Sequence, residues 1–273
     1  MAKILVLTHA FDSYRDRSFL VQVLCEHWEA AGHEVVVHEG PVGAPRADLG
    51  ILHVDATVVE RAYVDAMSGC TVVVNGATLD IGKRTYSENL VTAFDPWAGP
   101  VIVKTNANAG GIPEWLHESV ARDRGTPLPG PPRKRMVGRY PVFQRFADVP
   151  IELRLDPEIV VEKFLPELDP RGYASRHYLF LGDRERCTRM VGRHPVVKGG
   201  DAFERTHVEV PDEIRAWRRK LGFDYGKLDF VIHEGKPVLI DANRTPTFPR
   251  GEMAAAIRQG LEDLARGIES MLP

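Results

Sequence analysis

The strongest constraint on the fold is the alternation of strand and helix patterns over residues 1–82. Between the first two strand-like runs, Leu20 and Leu24 begin a helical spacing, and Gly32 follows where that helix would end. Strands that alternate with helices form parallel sheets, so the sequence predicts an N-terminal α/β domain. The predicted strands cover residues 3–7, 33–38, 49–54 and 71–74.

Composition argues against several functional classes. The net charge of −3 provides no broad basic field for nucleic acid or an anionic membrane. No apolar run approaches the roughly 20 residues that span a bilayer, and the first apolar run is interpreted as a strand and not as a signal peptide. The widely separated cysteines have no metal-binding spacing and favour a reducing cytoplasm. The loop THAFDS lacks the G-x-G-x-x-G of dinucleotide sites.

From residue 100 onward, short strands alternate with irregular segments. The strand PVIVK ends in Lys104, and the small-residue loop TNANAGG follows it. Residues 113–150 are predicted to be irregular, with LPGPPRKR, which includes Arg133, as a solvated loop. Further strands are predicted at 159–165, 177–181, 228–233 and 238–240, the last two joined by a turn at 234–236. A final helix carries an apolar stripe of Ile257, Leu261, Leu264, Ile268 and Met271.

The stretch VLIDANRTP places Asp241 and Asn243 one residue apart at the end of a strand. Residues i and i+2 of a strand face the same way, and two oxygen donors on one face suit Mg²⁺. Asp229 lies on the other strand of the predicted hairpin, so antiparallel pairing can bring the three side chains together. Adjacent carboxylates repel unless a cation neutralises them, and a site without Cys or His favours Mg²⁺ over zinc. The alternative is a strand end whose polar side chains cap the next loop.

Two other stretches indicate a nucleotide site, each with a structural alternative. Lys104 combines a point charge with a following loop whose backbone N–H groups can approach phosphate oxygens. The alternative for Lys104 is a solvated strand edge. In VVEKFLPELD, the strand that contains Glu162 can present its backbone to an adenine edge, and a later carboxylate can accept from ribose hydroxyls. The alternative there is an edge strand followed by an acidic loop.

The order of these motifs resembles that of the ATP-grasp superfamily, which includes D-alanine–D-alanine ligase, glutathione synthetase and the ribosomal-protein glutamate ligases. The resemblance covers about residues 80–250. It implies an α/β protein in which a parallel-sheet pre-ATP-grasp domain, residues 1–82, precedes an ATP-grasp domain, residues 83–273. The second domain would consist of two α+β subdomains hinged near residues 162–169. ATP and Mg²⁺ would be the cofactors, with Mn²⁺ as an alternative metal.

The resemblance also implies roles for individual residues. Lys104 would contact the α- and β-phosphates, Glu162 the adenine amino group and Glu167 the ribose, for which Asp169 is the competing candidate. The full set that would bind ATP is Lys104, Asn108, Gly110, Gly111, Glu162, Lys163, Leu165 and Glu167. The residues that would hold Mg²⁺ are Asp229, Asp241 and Asn243. The catalytic residues would be Arg176, facing the phosphates, and Lys227.

The chain departs from the family pattern at two places. Asp241 stands where the family usually has Glu, which shortens the arm of a metal ligand. Lys83, the candidate for the family's first phosphate lysine, lies closer to Lys104 than the family spacing. Arg193 and Lys198 could reach the phosphates, but no motif marks either of them.

The activity that the resemblance implies is ATP-dependent ligation of a carboxylate to an amine or another nucleophile through an acyl phosphate, with release of ADP and phosphate. A small-molecule phosphotransferase and a non-catalytic ATP-binding module are the alternatives. Small-molecule carboxylates and amines would be the partners, and a homodimer is left open. Because ligands of open parallel sheets lie at the carboxyl ends of the strands, the candidate substrate contacts are His9, Asp12, His53 and Asp55. Structural loop residues are the alternative for these four.

Overall fold

The computed structural model describes residues 1–126, 128, 134–248 and 255–273. Its N-terminal part is a four-stranded sheet in the order β2-β1-β3-β4, and every neighbouring pair is parallel. The predicted parallel sheet is therefore confirmed. Its strands are β1 (Lys3–Thr8), β2 (Glu34–Glu39), β3 (Ala47–Leu52) and β4 (Cys70–Val74).

The predicted first helix is also present, as α1 (Leu20–Ala30). Leu20, Leu24 and Trp28 recur every four residues and are buried against the sheet and the C-terminal helix. Gly32 lies just beyond the helix with φ 89°, the left-handed conformation that ends many helices. Two short helices follow in the same part of the chain, α2 (Arg61–Ala66) and α3 (Lys83–Tyr86).

A three-stranded antiparallel sheet comes next, in the order β6-β5-β7. The segment after its first strand was expected to be irregular, and that prediction is wrong for α4 (Ile112–Asp123). Pro113 fits the first turn of this helix, where the missing N–H has no intrahelical partner to lose. Arg133 lies outside the described residues. The other elements here are β5 (Val101–Thr105), β6 (Val142–Phe143), α5 (Ile151–Arg154) and β7 (Ile159–Lys163).

The third sheet has six strands, in the order β11-β10-β9-β12-β13, with β8 paired to β9. The predicted final hairpin is confirmed: β12 and β13 pair antiparallel around a turn at Glu234 and Gly235. The sequence analysis did not predict β10, β11 or α6. The elements are β8 (Glu167–Asp169), β9 (Gly172–Leu181), β10 (Arg184–Gly192), β11 (Ala202–Val208), α6 (Asp212–Leu221), β12 (Tyr225–His233), β13 (Lys236–Asn243) and α7 (Ala255–Ala265).

The N-terminal sheet and the six-stranded sheet share one hydrophobic core. Ile4 of β1 and Trp28 of α1 belong to the same buried cluster as Tyr225 of β12 and Leu261 of α7. The indole N–H of Trp28 donates to the carbonyl of Ala265 at 2.9 Å. These contacts pack β1 and α1 against β12 and α7. None of the helices in the described parts of the chain has the length and apolar content to cross a bilayer.

Candidate functional site

A cavity of about 420 Å³ lies between the three-stranded and the six-stranded sheets. Ile102 and Lys104 of β5 line one wall, and the β12–β13 hairpin lines the opposite wall. The segment from Lys163 to Pro166, which joins β7 to β8, closes one side. Of the predicted site residues, those that line this cavity are Lys104, Glu162, Lys163, Leu165, Lys227, Asp229, Asp241 and Asn243.

The hairpin brings the predicted metal ligands together. Asp229 is the register partner of Asp241 across the two strands, and Lys227 is the register partner of Asn243. Directly opposed residues of an antiparallel pair have their Cβ atoms about 4.5–5.5 Å apart. Since each strand contributes positions i and i+2, all four side chains lie on one face. The geometry is therefore the one that the sequence predicted, and the metal itself stays a prediction.

The side chains of Lys227 and His177 lie beside the carboxylate of Asp229. The Nζ of Lys227 lies 2.8 Å from its Oδ2, and the Nδ1 of His177 lies 3.9 Å from its Oδ1. Burial alone would raise the pKa of Asp229, but the charges of His177 and Lys227 hold it below its ordinary value. Its Oδ1 is buried and has no hydrogen-bond partner among the described residues. Such an oxygen is free to ligate a cation.

Asp241 has a different partner, Lys83, whose contact with phosphates stays a prediction. The Nζ of Lys83 lies 3.2 Å from Asp241 Oδ1 and also donates to the carbonyl of Ala107 at 3.0 Å. Lys83 is only 2% exposed and lines the cavity. The Oδ1 of Asn243 accepts from the backbone N–H of Thr245 at 2.8 Å. Each carboxylate of the hairpin is thus matched by one lysine.

Lys104 and Glu162 form a buried ion pair with 2.7 Å between Nζ and Oε2. Lys104 also donates to the carbonyl of Ile240 at 3.1 Å, which ties β5 to β13. Burial by itself would raise the pKa of Glu162, but the ammonium of Lys104 outweighs that effect and lowers it. Glu162 is therefore an ionised counter-ion of Lys104. Its contact with an adenine amino group stays a prediction.

Glu167, the expected ribose contact, is bound by donors of the protein itself. Its Oε2 accepts from Arg176 Nε at 3.0 Å and from the N–H of Ile232 at 2.8 Å. Its Oε1 accepts from Arg176 Nη2 at 3.1 Å and from Arg189 Nε at 2.8 Å. A carboxylate offers about four acceptor sites, and all are filled here. Glu167 is not among the residues that line the cavity, and its contact with ribose stays a prediction. The competing candidate, Asp169, is engaged by Arg171 and Arg189.

Arg176, a predicted catalytic residue, is likewise not among the residues that line the cavity, and its catalytic role stays a prediction. Arg176 binds Glu167, whereas the next residue of β9, His177, lines the cavity. Successive side chains of a strand point to opposite faces, so the two residues cannot both face the nucleotide side. Sequence reasoning missed His177 and Ser175, whose Oγ lies 3.1 Å from His177 Nε2. The signal that identifies these residues is the pairing of β9 with β12, which places His177 opposite Asp229.

The loop at residues 105–111 packs firmly against the chain that follows α4. Gly110 and Gly111 have φ of 72° and 78°, and a Cβ on Gly111 would lie 2.3 Å from the carbonyl oxygen of Lys134. The N–H of Met136 donates to the carbonyl of Gly110 at 2.7 Å. The N–H of Asn108 donates to Thr57 Oγ1 at 2.8 Å. The glycines are thus needed for this close approach, and phosphate binding by the loop stays a prediction.

The four candidate substrate contacts lie at the carboxyl ends of β1 and β3, as predicted. His9 stacks on His117 of α4 with 3.7 Å between ring centroids. Asp55 is buried and forms an ion pair with Arg17 and a hydrogen bond with the Thr245 hydroxyl. Burial raises the pKa of Asp12 to about 7, and the charge of Asp55 adds to that rise. The substrate role of these residues stays a prediction.

Arg244 is the residue of this region that the sequence analysis missed. It follows the predicted metal ligand Asn243 directly and is 0% exposed. Its Nη1 donates to the carbonyl of Ala56 at 3.1 Å. Burial lowers the pKa of Arg244 to about 10, although Asp55 counteracts part of that effect. The signal in the sequence was a cation directly beside a predicted ligand set, in the stretch DANRTP.

No protein-family model and no curated protein matches the sequence. Solved structures match it in fold over nearly the whole chain. The ATP-grasp ligase PsnB complexed with a minimal precursor has a TM-score of 0.53 at 14% identity, covering 89% of this chain and 91% of that chain. A Chryseobacterium gregarium RiPP-associated ATP-grasp ligase, in complex with ADP and a leader and core peptide, has a TM-score of 0.53 at 11% identity, covering 100% and 98%. D-cycloserine synthetase DcsG has a TM-score of 0.51 at 12% identity, covering 97% and 98%.

Proposed function

This chain has the ATP-grasp fold, and from that premise we propose that it is an ATP-dependent carboxylate–amine ligase. The observation that carries the proposal is the cross-strand pair Asp229 and Asp241, which shares one cavity with Lys83, Lys104 and Lys227. A set of oxygen ligands beside several cations matches the needs of a nucleoside triphosphate and its metal.

The cavity offers complementary surfaces for the two ends of ATP. Ile102, Leu165 and Val231 would provide an apolar wall for the adenine ring, and the backbone of Leu165 would offer hydrogen-bonding groups to its edge. The N–H groups of Lys163 and Phe164 already donate to the carbonyls of Asn89 and Pro100. Lys104 would contact the α- and β-phosphates, with Glu162 fixing its ammonium. Lys83 and Lys198 also line the cavity and extend the positive charge along the phosphate chain.

The residues of the hairpin fit Mg²⁺. Asp229 Oδ1 is an unpartnered buried oxygen, and Asp241 faces it from the next strand. No group of three or more His, Cys, Asp or Glu in the described ranges is arranged to hold a metal. Mg²⁺ is usually bound by one or two carboxylates together with substrate phosphates. Asp229, Asp241 and Asn243 would hold the ion, which supplies charge screening on the phosphates when bound.

Catalysis would consist mainly of positioning and charge stabilisation by the chain's own cations. The lysine ammoniums would neutralise the phosphates while an oxygen of the substrate carboxylate attacks the γ-phosphorus and the bond to the β-phosphate oxygen breaks. The products of this step are an acyl phosphate and ADP. The amine then attacks the acyl carbon, loses a proton and displaces phosphate. The loop at residues 105–111 would cover the site and exclude water, which would otherwise hydrolyse the acyl phosphate.

The decisive experiment measures ADP release by the purified chain with Mg·ATP and a panel of carboxylates and amines. We expect ADP release that requires a carboxylate, and hydroxamate formation when hydroxylamine replaces the amine. The Asp241→Asn variant should lose both signals, while an exposed control, Asp183→Asn, should keep them. A stable phosphorylated product would identify a phosphotransferase instead. If the chain binds nucleotide but releases no ADP with any pair of carboxylate and amine, it is a non-catalytic ATP-binding module.

A further inference from the structure

A second cavity, of about 470 Å³, shares no described lining residue with the nucleotide cavity. Tyr178 of β9 lines it, whereas the preceding residue, His177, lines the nucleotide cavity. Successive side chains of a strand point to opposite faces, so the two cavities lie on opposite faces of the six-stranded sheet. We call the second cavity the arginine pocket, and its charged and hydrogen-bonding side chains are Tyr178, Glu185, Arg215, Arg218, Arg219 and Asp224.

Three arginines on one face of α6 supply the positive charge of the arginine pocket. Arg215, Arg218 and Arg219 are spaced at i, i+3 and i+4, positions that lie together on a helix surface. The carboxylates of the lining are Glu185 and Asp224. One positive charge of the lining therefore has no opposite charge within it.

Arg215 is the arginine that the protein itself neutralises. Its Nη2 lies 2.7 Å from Glu185 Oε1, and its Nη1 lies 2.7 Å from Asp212 Oδ1. Burial alone would raise the pKa of Glu185, but hydrogen bonds from Arg215 and Tyr178 outweigh that effect and lower it. Glu185 is therefore ionised at neutral pH, and its charge is compensated by Arg215.

Arg218 has a fixed guanidinium that bonds only to neutral groups. Its Nη2 donates to the carbonyls of Gly182 at 2.6 Å and Asp224 at 3.2 Å. Its Nε donates to the carbonyl of Phe223 at 3.0 Å, and its Nη1 has one long contact, of 3.5 Å, with the Tyr178 hydroxyl. Since Nη1 carries two N–H bonds, at least one of them has no partner among the described residues. The carbonyls thus hold the guanidinium in place without neutralising its charge.

Arg219 is exposed, and neither it nor Arg218 forms an ion pair in the described part of the chain. The remaining carboxylate, Asp224, accepts from the N–H of Asn75 at 2.9 Å through its Oδ2. A carboxylate ligand has two oxygens, which a single guanidinium can occupy. A phosphate group has three acceptor oxygens and a charge of about −1.5 to −2 at pH 7, so it can bind two guanidiniums at once. Adjacent unpaired arginines therefore favour a phosphate group.

The arginine pocket has room for more than a phosphate group. Its volume of about 470 Å³ is slightly larger than the 420 Å³ of the nucleotide cavity. Pockets for small organic ligands typically have about 300–1,000 Å³. Ala77, from the segment after β4, and Phe223 also line the pocket and provide apolar surface for the organic part of a ligand.

We propose that the arginine pocket binds a phosphate group, either as free phosphate or on a small phosphorylated metabolite, with Arg218 and Arg219 holding its oxygens. This site is separate from the proposed nucleotide cavity, and its ligand does not take part in the proposed ligation.

The test is calorimetric titration of the full chain with inorganic phosphate, glucose 6-phosphate and O-phosphoserine, in the presence of saturating Mg·ADP to fill the nucleotide cavity. We expect at least one of the three to bind. Tighter binding of an ester would identify a phosphorylated metabolite as the ligand, and equal binding of inorganic phosphate would identify free phosphate. No binding by any of the three would overturn the inference.

The charged group is tested with glucuronate, a sugar of similar size that carries a carboxylate and no phosphate. It should bind at least about tenfold more weakly than glucose 6-phosphate, because it offers fewer oxygens and less charge to the two arginines. Equal binding of glucuronate would overturn the assignment of the pocket to phosphate.

The location is tested with Arg219→Gln, which removes the charge of an exposed side chain. It should weaken phosphate binding at least about tenfold while the melting temperature and ADP binding stay unchanged. The matched control is Arg122→Gln, because Arg122 is an exposed arginine in the last turn of α4, as Arg219 is in the last turn of α6. This control should change neither affinity. Binding by Arg219→Gln as tight as in the parent, or an equal loss in both variants, would show that the arginine pocket is not the site.

Discussion

Lys104 and Glu162 form a buried ion pair whose proposed roles are in stability and in nucleotide binding. Lys104 has 7% of its surface exposed and Glu162 has 3%, so each charge depends on the other for compensation. The pair also aligns the Lys104 ammonium with the cavity that the proposed nucleotide occupies. Replacing only one partner leaves an uncompensated buried charge, whereas replacing both leaves a neutral pair of similar size.

Lys104→Met should destabilise the protein by about 3–5 kcal/mol at pH 7, and the double variant with Glu162→Gln should recover most of that loss. In the parent, the pKa of Glu162 lies below its ordinary value of 4.5, so its contribution is present above that value and is lost as pH falls. In Lys104→Met, burial raises that pKa, and stability instead falls as pH rises. Urea unfolding at pH 4.5 and 7 measures the difference.

The double variant separates the two roles of Lys104, because it should stay unable to bind ATP although its stability recovers. The exposed pair of Lys3 with Glu34 is the control, and Lys3→Met should cost no more than about 1 kcal/mol. A Lys104→Met variant whose loss of stability is the same at both pH values would show that Glu162 is not left charged.

Asp241 and Lys83 give the second prediction at this scale. Asp241→Asn should lower ATP turnover at least about a hundredfold, because screening of the γ-phosphate is worth several kcal/mol. Repulsion between Asp229 and Asp241 alone would make the variant more stable without metal. The ion pairs with Lys227 and Lys83 reverse that expectation, since Asp241→Asn leaves the buried Lys83 without its carboxylate.

We therefore expect Asp241→Asn to lose about 1–2 kcal/mol of stability in the absence of metal, discounted for the partial exposure of Asp241. We expect Mg·ATP to stabilise the parent against heat, and Asp241→Asn should lose that stabilisation. Calorimetry with and without Mg·ATP measures both effects. A variant that keeps near-normal turnover would show that the DANRTP stretch is a strand end with a polar cap.

At the scale of elements, the β12–β13 hairpin was the most predictable part of the site. The turn sets the register from His233 and Lys236 as far as Phe230 and Leu239, and an irregularity between Asp229 and Phe230 then brings Asp229 opposite Asp241. By contrast, the orientation of β9 depends on which of its two faces meets the cavity. In the sequence SRHY, Arg176 and His177 are adjacent and both polar, so the sequence does not tell which of them faces the cavity. The pairing of β9 with β12 decides this, because it places His177 opposite Asp229.

Other elements were hidden because their sequences lack apolar periodicity. β10, with the sequence RERCTRMVG, and β11 are largely polar on their open faces, and their stability comes from pairing within the sheet. α4 begins with Ile112 and Pro113, and its buried face includes His117, a residue that a hydrophobic pattern does not count. Tertiary contacts, which a single sequence does not display, select these elements.

The contact of the 105–111 loop with residues 134–136 gives a prediction for an element. Gly111→Ala should destabilise the protein by about 3 kcal/mol, because it adds both left-handed strain and a Cβ 2.3 Å from a backbone oxygen. Gly43→Ala is the matched control: its φ of 76° is nearly the same, but nothing lies within 4 Å of the added Cβ. It should cost only about 1 kcal/mol. Urea unfolding compares the two, and equal losses would show that the close approach is absent.

At the scale of the whole molecule, we propose that the boundary near residue 82 separates two segments of one cooperative unit. The largest core cluster contains Ile4 and Leu20 from the first segment and Tyr225 and Leu264 from the second. Asn75 adds polar contacts across the same boundary. Its Nδ2 donates to the carbonyl of Tyr225 at 2.7 Å, and its Oδ1 accepts from the N–H groups of Asp224 and Tyr225 at 3.0 Å.

This arrangement predicts a single unfolding transition that Asn75→Ala shifts as a whole. The variant removes three hydrogen bonds and leaves buried backbone groups of Tyr225 unsatisfied, so it should cost about 3 kcal/mol. Because Asn75 has φ 63°, Asn75→Gly serves as the control that relieves backbone strain while losing the same bonds, and it should be less destabilised than the alanine variant. Calorimetry should give equal calorimetric and van't Hoff enthalpies for each protein. If Asn75→Ala instead split the transition into two, with only one of them shifted, the segments would be independent domains that merely touch.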